Sequence, residues 1–464
     1  MMPGLLHATA PKVLRPYQHE AIRLLSLALG KGGKRVVIQM PTGAGKTLVA
    51  AHLVLGALSK GRRVLFVAPY LSLVGQTVAA FEEAGIERIG VMQGSHPRTD
   101  PTAPVQVATV QTLVRRDAPP ADLVIVDEAH VRSAGVERLM SERAGAVFVG
   151  LTATPWARGM GRIWNALVTP VTIRALIEEG RLAPFHVCAA AHPNLTDVGV
   201  VGDDYDPEAL AQRMSEGALV ADVVETWLEK GEGRPTFVFA VDRAHAARLH
   251  AAFERSGVAA AYVDAHTDLV ERARIERQFR GGEIRVVCSV RTMTTGVDWP
   301  VACIVDAAPT RSKILHVQKI GRGLRVNPPW ADCLILDHSD NTLRLGFVTD
   351  IHQPTLDTGE GGPAGRASQR TALPVECPGC SRLLSRAMNP CPACGFERER
   401  VSTVAVIPGE LQPLASDAPR RRTSLDDAQA FWSMALHVDA VRGRGGRLAL
   451  KFFKDRFGRW PDHG

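Results

Sequence analysis

Hydrophobic and polar residues alternate along the first part of the chain in two distinct rhythms. Short apolar runs at residues 35–39, 64–68, 105–108, 123–126 and 147–150 predict strands, and amphipathic stretches such as 48–58 and 73–83 predict helices between them. Strands that alternate with helices are typical of parallel βαβ units. We therefore predict an α/β domain with a parallel sheet over residues 1–165.

The same rhythm returns further along the chain. Apolar runs at 236–240, 260–264, 285–288, 302–305 and 333–336 predict a second parallel sheet, and a short helix is expected at 176–180, before a glycine. The second α/β domain is predicted to span residues 166–350. Residues 166–230 would join the two sheets.

The composition changes after about residue 350. Residues 355–374 are rich in Gly, Ser, Thr and Pro, which indicates a linker, assigned to 351–372. A cysteine-rich element is predicted at 373–400, a second linker at 401–424, and a helical, basic and aromatic tail at 425–464.

A glycine-rich loop follows the first predicted strand and opens a helix. Such a loop wraps a phosphate with backbone N–H groups, and the helix N-terminus adds partial positive charge. Lys46 is placed to reach the β- and γ-phosphates, and the Thr47 hydroxyl to ligate Mg²⁺. The backbone cradle would be Thr42, Gly43, Ala44 and Gly45. The competing interpretation is a glycine turn without a ligand.

Two carboxylates follow the predicted strand at 123–126. Asp127 would hold Mg²⁺ beside the phosphate loop, and Glu128 would orient or deprotonate the attacking water. An acidic pair after a strand is by itself more often a helix N-cap. The phosphate loop upstream favours the catalytic interpretation.

Together with six further segments, these motifs resemble superfamily 2 helicases with a D-E-A-H motif. The further segments, in family order, are Arg15-Pro16-Tyr17-Gln18, Ala68-Pro69-Tyr70 with Ala108-Thr109-Val110-Gln111-Thr112, Leu151-Thr152-Ala153-Thr154-Pro155, Thr294-Thr295-Gly296-Val297-Asp298 and Gln318-Lys319-Ile320-Gly321-Arg322-Gly323-Leu324-Arg325. The resemblance implies two RecA-like lobes in tandem and ATP with Mg²⁺ as cofactors. It implies that Gln18 reads adenine, that Arg15, Gly296 and Asp298 contact the nucleotide, and that Gln318 is catalytic.

The last of these segments has a physical interpretation of its own. If Arg322 and Arg325 lie on a helix, their spacing puts both guanidinium groups on one face. Planar, permanently charged guanidinium groups suit the developing charge on a transferred phosphoryl group. Because both belong to the second domain, they would complete the site only when the domains close. Surface salt bridges are the alternative.

A narrower resemblance is to the RadD-like group of bacterial DNA-repair ATPases and related phage proteins. It rests on Leu14-Arg15-Pro16-Tyr17-Gln18, the Pro41-to-Lys46 loop, Gly321-Arg322-Gly323-Leu324-Arg325, the segment Asp332-Cys333-Leu334-Ile335-Leu336-Asp337 and a cysteine element after the second lobe. It implies a DNA-stimulated ATPase acting in repair, recombination or replication. The C-terminal region of that group is longer, which puts any partner docking there in doubt.

Four of the eight cysteines form two C-x-x-C knuckles. Cys377 and Cys380 precede Cys391 and Cys394 by ten intervening residues, and two such turns complete a tetrahedral Zn²⁺ site. A redox dithiol competes, but the paired knuckles favour a structural zinc. Cys288, Cys303 and Cys333 sit in strand-like contexts and are expected to be buried thiols.

The charge of the chain is concentrated at its end. The net charge is +7, and residues 361–464 carry 16 lysines and arginines against 10 acidic residues. In the tail, Leu448, Phe452, Phe453, Phe457 and Trp460 form an apolar helical stripe interleaved with basic residues. The stripe either packs internally or contacts nucleic acid or replication and repair proteins.

The composition narrows the classes of protein to which the chain can belong. Hydrophobic residues make up 45% of the chain and charged residues 22%, values typical of globular proteins. No apolar run approaches the length of a membrane span, and residues 1–16 lack a secretory signal. We expect a cytoplasmic, bacterial or phage-like, nucleoid-associated protein with no membrane partner.

The functional hypothesis is an ATP-dependent DNA helicase or translocase. Single-stranded or branched DNA is the expected partner, with RNA possible. The alternatives are an RNA helicase, the motor subunit of a restriction system, and an ATP-gated, zinc-containing DNA-binding clamp or adaptor.

Overall fold

The computed structural model describes residues 13–94, 96–189, 192–290, 292–294, 297–359, 373–398, 425–441, 447–457 and 461. The chain divides into two compact units, residues 1–398 and 399–464. The first unit contains two α/β lobes and the cysteine element. The second contains a pair of helices.

The first lobe is built on a seven-stranded sheet in which every pair of strands is parallel. The order across the sheet is β3-β4-β2-β5-β6-β1-β7. Its strands are β1 (Arg35–Gln39), β2 (Val64–Ala68), β3 (Ile89–Met92), β4 (Val105–Thr109), β5 (Leu123–Asp127), β6 (Val147–Thr152) and β7 (Ala166–Val168). The central strands are apolar throughout because helices cover both faces of a parallel sheet.

The helices of this lobe connect successive strands. They are α1 (Pro16–Gly30), α2 (Lys46–Leu58), α3 (Leu71–Glu83), α4 (Val110–Arg115) and α5 (Ala134–Glu142), with a 3₁₀ turn at Met160–Arg162. All five predicted strands form. The sheet also contains β3 and β7, which are too short or too mixed to stand out in the apolar pattern.

The first lobe extends past the predicted boundary at residue 165. Strand β7 pairs with β1, from Val36 opposite Ala166 to Ile38 opposite Val168. Helix α6 (Ile173–Glu178), three residues earlier than predicted, then leads to the second lobe. The boundary was misplaced because an edge strand of three residues has no periodic signal.

The second lobe repeats the architecture with six parallel strands in the order β12-β13-β11-β14-β15-β8. In chain order its elements are β8 (Phe185–Cys188), the hairpin β9 (Val200–Val201) and β10 (Asp204–Tyr205), α7 (Pro207–Met214), α8 (Gly217–Lys230), β11 (Thr236–Phe239), α9 (Arg243–Arg255), β12 (Ala260–Val263), α10 (Leu269–Gly281), β13 (Val286–Ser289), β14 (Cys303–Asp306), α11 (Lys313–Ile320), β15 (Cys333–Asp337) and α12 (Asn341–Leu345).

The three cysteines expected in strands are buried there. Cys288, Cys303 and Cys333 have no exposed surface. Burial raises the pKa of all three thiols. They therefore pack as small hydrophobic residues and stay protonated.

The predicted linker at 351–372 is not a linker over its first part. Residues 351–359 return to the first lobe, where the Asp357 carbonyl accepts a 2.7 Å hydrogen bond from Gly161 N. Leu356 packs against Met160 and Trp164. Glycine and polar residues alone do not reveal such a return, since each of its hydrogen bonds to the turn involves at least one backbone group.

The cysteine element docks on the edge of the second sheet. It contains β16 (Val375–Glu376) and β17 (Leu383–Leu384), and Cys188 of β8 forms an antiparallel bridge with Arg382. Ala189 N donates to the Ser381 carbonyl at 3.0 Å. The element therefore covers an edge strand that would otherwise expose unpaired backbone groups.

The second unit is a helical hairpin of α13 (Leu425–Val441) and α14 (Arg447–Phe457). Asp439, 1% exposed, accepts a 3.1 Å hydrogen bond from Ala449 N and so caps the start of α14. Phe453 is buried against Trp432, whereas Phe452 is 42% exposed. The predicted stripe therefore packs in part. The side chain of Leu448 and all of Trp460 lie outside the described residues.

No helix among the described residues has both the length and the apolar character needed to cross a bilayer.

Candidate ATP site between the lobes and candidate metal centre

The phosphate loop leaves β1 at the carboxyl edge of the first sheet. Met40, where the general motif has glycine, is buried and extends the strand by donating its N–H to the Thr152 carbonyl at 2.9 Å. Gly43 and Gly45 have φ angles of 83° and 81°, which only glycine adopts readily. The loop thus turns at its two internal glycines.

Lys46 begins α2 and folds back over the loop. Its Nζ donates to the carbonyls of Met40 and Pro41 at 3.3 and 3.4 Å. Burial lowers the pKa of Lys46, the charges of Glu128 and Asp127 oppose this, and Arg322 and Arg325 add to it. Charged groups of both lobes therefore act on this one ammonium group.

The Arg15–Gln18 segment seals the loop from the other side. Gln18, 2% exposed, donates to the Ala44 carbonyl at 2.9 Å and accepts from Arg15 N at 2.8 Å. A Cβ at Gly45 would collide with the Gln18 amide. The amide expected to read adenine is therefore held against the phosphate loop.

The acidic pair ends β5 with a strained backbone. Glu128 has a φ of 48°, rare for a residue with a side chain, and its N–H donates to the Asp127 carboxylate at 3.0 Å. Burial raises the pKa of Asp127 to about 7, Glu128 adds to the rise, and Lys46 opposes it. The Asp127 carboxylate and the Thr47 hydroxyl are both oxygen donors, which is the ligand type that Mg²⁺ prefers.

His130 joins this pair to the second lobe. The Gln318 amide lies 3.0 Å from His130 Nε2, and Thr152 Oγ1 lies 2.8 Å from His130 Nδ1. Thr152 Oγ1 already accepts from Thr154 N. Burial lowers the pKa of His130, so the ring is neutral, with Nδ1–H donating to Thr152 and Nε2 accepting from Gln318.

The sequence had suggested that the two arginines share one face of a helix. In the structure they do not. Helix α11 ends at Ile320, and Arg325 lies in extended chain bridged to Leu182. Both guanidinium groups nevertheless converge, because Arg322 and Arg325 donate to the Val297 carbonyl at 3.0 and 2.9 Å. Burial lowers the pKa of Arg322 to about 10. Its Nε is buried and has no hydrogen-bond partner among the residues that the structure describes.

The second lobe touches the phosphate loop directly. A Cβ at Gly43 would lie 3.0 Å from the Leu182 side chain, and one at Gly321 would lie 3.3 Å from Thr42. The lobes are therefore closed around the site.

A cleft of about 590 Å³ runs from the Arg15–Gln18 segment to the second lobe. Its lining includes Arg15, Gln18, Gly43, Thr47 and Asp298. Asp298 pairs with Arg325 at the rim. Gly296, also expected to contact nucleotide, lies outside the described residues. The cleft therefore brings several predicted nucleotide contacts of the first lobe together with Asp298 of the second.

Sequence reasoning missed three groups that the geometry adds. His130 and Thr152 lie inside motifs that were recognised, yet nothing in the sequence pairs them with Gln318. The third is the Val297 carbonyl that holds both arginines. A backbone acceptor leaves no residue-type signal.

The four cysteines of the knuckles form one cluster. Their sulfur atoms lie within 4.8 Å of one another, with Cys377 to Cys394 at 3.6 Å and Cys380 to Cys391 at 3.8 Å. Tetrahedral Zn–S bonds of about 2.3 Å place sulfurs roughly 3.8 Å apart. The donor set therefore fits Zn²⁺.

Backbone geometry prepares the knuckles for a metal. Ser381 and Gly395, which follow the second cysteine of each knuckle, have φ angles of 57° and 75°. Backbone N–H groups of Cys394 and Ala393 lower the pKa of Cys391 to about 6. Thiolate is the form that binds zinc.

Each of the two lobes matches a known protein family. Residues 11–157 match the family described as the type III restriction enzyme, res subunit, and residues 219–327 match the helicase conserved C-terminal domain.

The relatives combine these domains with different neighbours. A 51.5 kDa protein of Lactococcus phage (isolate 7-9) is 26% identical over 78% of this chain and 78% of its own. The putative ATP-dependent helicase IRC3 of Saccharomyces cerevisiae is 29% identical over 74% of this chain, but the match covers 53% of that protein. For the EcoKI type I restriction endonuclease subunit of Escherichia coli the values are 28%, 68% and 33%.

A solved structure shares the fold. The type ISP restriction-modification enzyme LlaBIII, bound to DNA, superposes with a TM-score of 0.53 at 17% identity, covering 71% of this chain and 28% of that one. The chain spans about half of the yeast relative and about a third of the restriction enzymes. With a restriction-type ATPase domain followed by a helicase C-terminal domain, the chain belongs to the superfamily 2 helicases.

Proposed function

We propose that this protein is an ATP-hydrolysing motor that moves along DNA, of the D-E-A-H type and related to the RadD-like repair ATPases. One observation carries the proposal. The charges of Asp127 and Glu128 in the first lobe and of Arg322 and Arg325 in the second act on the Lys46 ammonium group. A Cβ at Gly43 of the phosphate loop would lie 3.7 Å from the Arg325 side chain. Charged groups of both lobes therefore converge on the phosphate loop.

Each group has a role set by its position. The loop from Thr42 to Gly45 and Lys46 bind the β- and γ-phosphates, and Glu128 orients and deprotonates the attacking water. Thr47 and Asp127 would hold Mg²⁺, which would supply charge neutralisation on the phosphate oxygens. Arg15, Gln18 and Asp298 line the part of the cleft left for the nucleoside.

The second lobe supplies the charges that respond to the γ-phosphate. Arg322 and Arg325 share one carbonyl acceptor, and Arg322 Nε has no partner. A γ-phosphate offers these donors stronger, charged acceptors than a carbonyl. ATP therefore favours the closed lobes, and loss of phosphate after hydrolysis removes that preference.

The His130 contacts connect closure to the water-activating residue. His130 Nδ1 lies 3.3 Å from Glu128 Oε2 and His130 Nε2 is bound by Gln318 of the second lobe. When the lobes part, Gln318 leaves, and the ring that borders Glu128 loses one of its two restraints. Hydrolysis is thereby confined to the closed state.

Movement on a strand requires contacts near this site. Tyr70, at the start of α3, is 44% exposed, and burial together with the charge of Glu128 raises its pKa. A tyrosine that faces solvent beside the catalytic glutamate suits a base-stacking contact coupled to hydrolysis. The names of relatives, among them a DNA 3'-5' helicase XPB of Kineococcus radiotolerans, favour DNA over RNA and a role in repair, recombination or replication.

A second candidate is the motor subunit of a restriction system. The match to the res-subunit family and to the EcoKI subunit favours it specifically. A stable complex with a methyltransferase on purification supports this candidate, and a protein that purifies alone and is fully active argues for the first.

The deciding experiment compares ATP hydrolysis without nucleic acid and with single-stranded, duplex and forked DNA and RNA at matched salt. We expect strong stimulation by one form of DNA, and none in a Lys46→Ala variant. Equal stimulation by RNA and DNA favours an RNA helicase. A flat response with retained DNA binding favours an ATP-gated clamp.

A further inference from the structure

A segment after the second lobe crosses back to the first. Residues 347–359, called the strap here, begin in the second lobe. The ring centroids of Phe347 and Phe185 lie 6.3 Å apart, and Val348 and Ile351 are buried. Asp350 pairs with Arg174 of the helix between the lobes. The strap thus has a firm root.

The far end of the strap grips a turn of the first lobe at both backbone and side chain. The Asp357 carbonyl accepts from Gly161 N at 2.7 Å and its carboxylate accepts from Gly159 N at 3.0 Å. Arg162 Nε donates to the Thr358 carbonyl at 2.6 Å. This turn follows Leu151–Pro155, whose Thr152 binds His130, so the strap holds the segment next to the catalytic network.

Between its two anchored ends the strap borders a cavity. A cavity of about 390 Å³ is lined by His352 and Pro354 of the strap, Pro41 and Trp156 of the first lobe, and Val317 of α11. At this place the lobes are not closely packed, whereas they touch directly at the phosphate loop. Across the cavity, the strap and a few hydrogen bonds connect them.

Chain length limits that shift. Five residue steps separate Ile351 from Leu356, and an extended chain spans at most about 3.3–3.6 Å per residue, or roughly 17 Å in all. The lobes cannot separate these anchors further while both hold. Neither the strap nor Gly159–Gly161 lies within the matched family domains, which end at residues 327 and 157.

We propose that the strap limits opening of the lobes and keeps Arg322 and Arg325 near the phosphate loop before ATP arrives, with Asp357 as its positioning residue. The activity consequences rest on the proposed function. The limit on opening does not. Loosening the grip populates wider states, and ATP must then close them, which raises the apparent KM.

The chain offers a matched pair of glycines for the test. A Cβ at Gly161 would lie 3.1 Å from the Asp357 carbonyl oxygen and 3.2 Å from that of Leu356, whereas a Cβ at Gly75, in α3, has nothing within 4 Å. Gly161→Ala and Gly161→Val therefore push the strap away in graded steps, and Gly75→Ala is the control. Asp357→Ala removes the carboxylate grip, and Asp357→Asn retains an acceptor.

The primary readout is the distance between lobes, measured by energy transfer between labels on bio-orthogonal residues at the exposed positions Leu27 and Leu228. We expect a longer-distance population without nucleotide in Gly161→Val and Asp357→Ala, reversed by a non-hydrolysable ATP analogue. Melting temperatures identify any variant that fails to fold, and Asp357→Ala then carries the test. Distances equal to those of Gly75→Ala in both variants overturn the proposal.

The secondary readout is steady-state ATP hydrolysis. We expect KM for ATP to rise by about threefold to tenfold in Gly161→Val and Asp357→Ala, with kcat at saturating ATP and DNA near wild type and near-complete rescue in Asp357→Asn. A fall in kcat alone, with unchanged KM and distances, contradicts the proposal. If the wild-type protein hydrolyses no ATP, the proposed function fails. The distances between the labels then still show whether the strap limits opening of the lobes.

Discussion

The ATP site between the lobes and the cysteine element assemble their ligands in opposite ways. All four thiols come from residues 377–394, and two local turns bring their sulfurs within 4.8 Å. The ATP site draws on residues from Arg15 to Arg325, and its second half arrives only because two sheets pack against each other. One site is made by turns and the other by the fold.

The two sites also differ in what they leave unsatisfied. The ATP site holds a strained Glu128, an Arg322 Nε without a partner and an Asp127 whose pKa is raised to about 7 by burial. Such costs persist where a ligand relieves them. The comparison teaches that one short segment can supply a complete structural metal centre. A site that opens and closes during a reaction cycle is instead divided between two lobes, and neither lobe alone completes it.

The largest effect expected from this comparison is loss of the cysteine element when its metal is removed. Structural zinc contributes on the order of 10 kcal/mol to small metal-bound folds, so Cys391→Ser should abolish stoichiometric zinc and expose residues 373–398 to proteolysis. ATP hydrolysis should change little, because the element lies outside the cleft. Metal analysis checks this, with Cys188→Ser as the control that keeps zinc. Zinc retained in Cys391→Ser would contradict the four-cysteine site.

The next effect tests the division of the ATP site between the lobes. Arg322→Ala should lower kcat by about 10²–10³-fold, because it removes the buried guanidinium group proposed to stabilise the transferred phosphoryl group. Arg255→Ala, on the exposed end of α9, is the matched control. Normal turnover in Arg322→Ala would show that the lobes do not share the chemistry.

A smaller effect sharpens how the two lobes communicate. His130→Ala and Gln318→Ala each break the same contact, so their effects on kcat should overlap, with a coupling energy of about 1–2 kcal/mol in a double-mutant cycle. Steady-state kinetics of the four proteins measure it. Additive effects would mean that the 3.0 Å contact carries no coupling.

The smallest effect concerns the junction of the cysteine element with the second lobe. His192 lies 2.7 Å from Asp340 and 2.9 Å from Glu376, and although burial lowers its pKa, these two carboxylates raise it overall. Arg344 also acts on Asp340. The contribution to stability is therefore full below the ordinary histidine pKa and lost as the pH rises through the raised value.

The corresponding measurement is the difference in melting temperature between wild type and His192→Gln across pH. The difference should be greatest in mild acid and should shrink toward alkaline pH. It should be modest, because the side chain is 47% exposed. A difference that grows with pH would reverse the assignment.

Much of the fold followed from pattern alone. Every apolar run singled out became a strand, because a strand buried on both faces of a parallel sheet must be apolar throughout. The misses share a cause. Strand β7 has three residues, each hydrogen bond of the strap to the turn involves a backbone group, and the arginines were placed on a helix that ends two residues before Arg322. None of these features produces a periodic pattern of residue types in the sequence.

What the sequence determined by itself was chemistry bound to short segments. The phosphate loop, the carboxylates at the end of β5 and the cysteine knuckles are each specified by neighbouring residues, whose spacing sets their geometry. The tertiary structure decided which distant groups meet: His130 with Gln318, both arginines with the Val297 carbonyl, and Asp357 with Gly159 and Gly161. The physical reason is that turn geometry is local, whereas the meeting of two lobes depends on how whole hydrophobic faces pack.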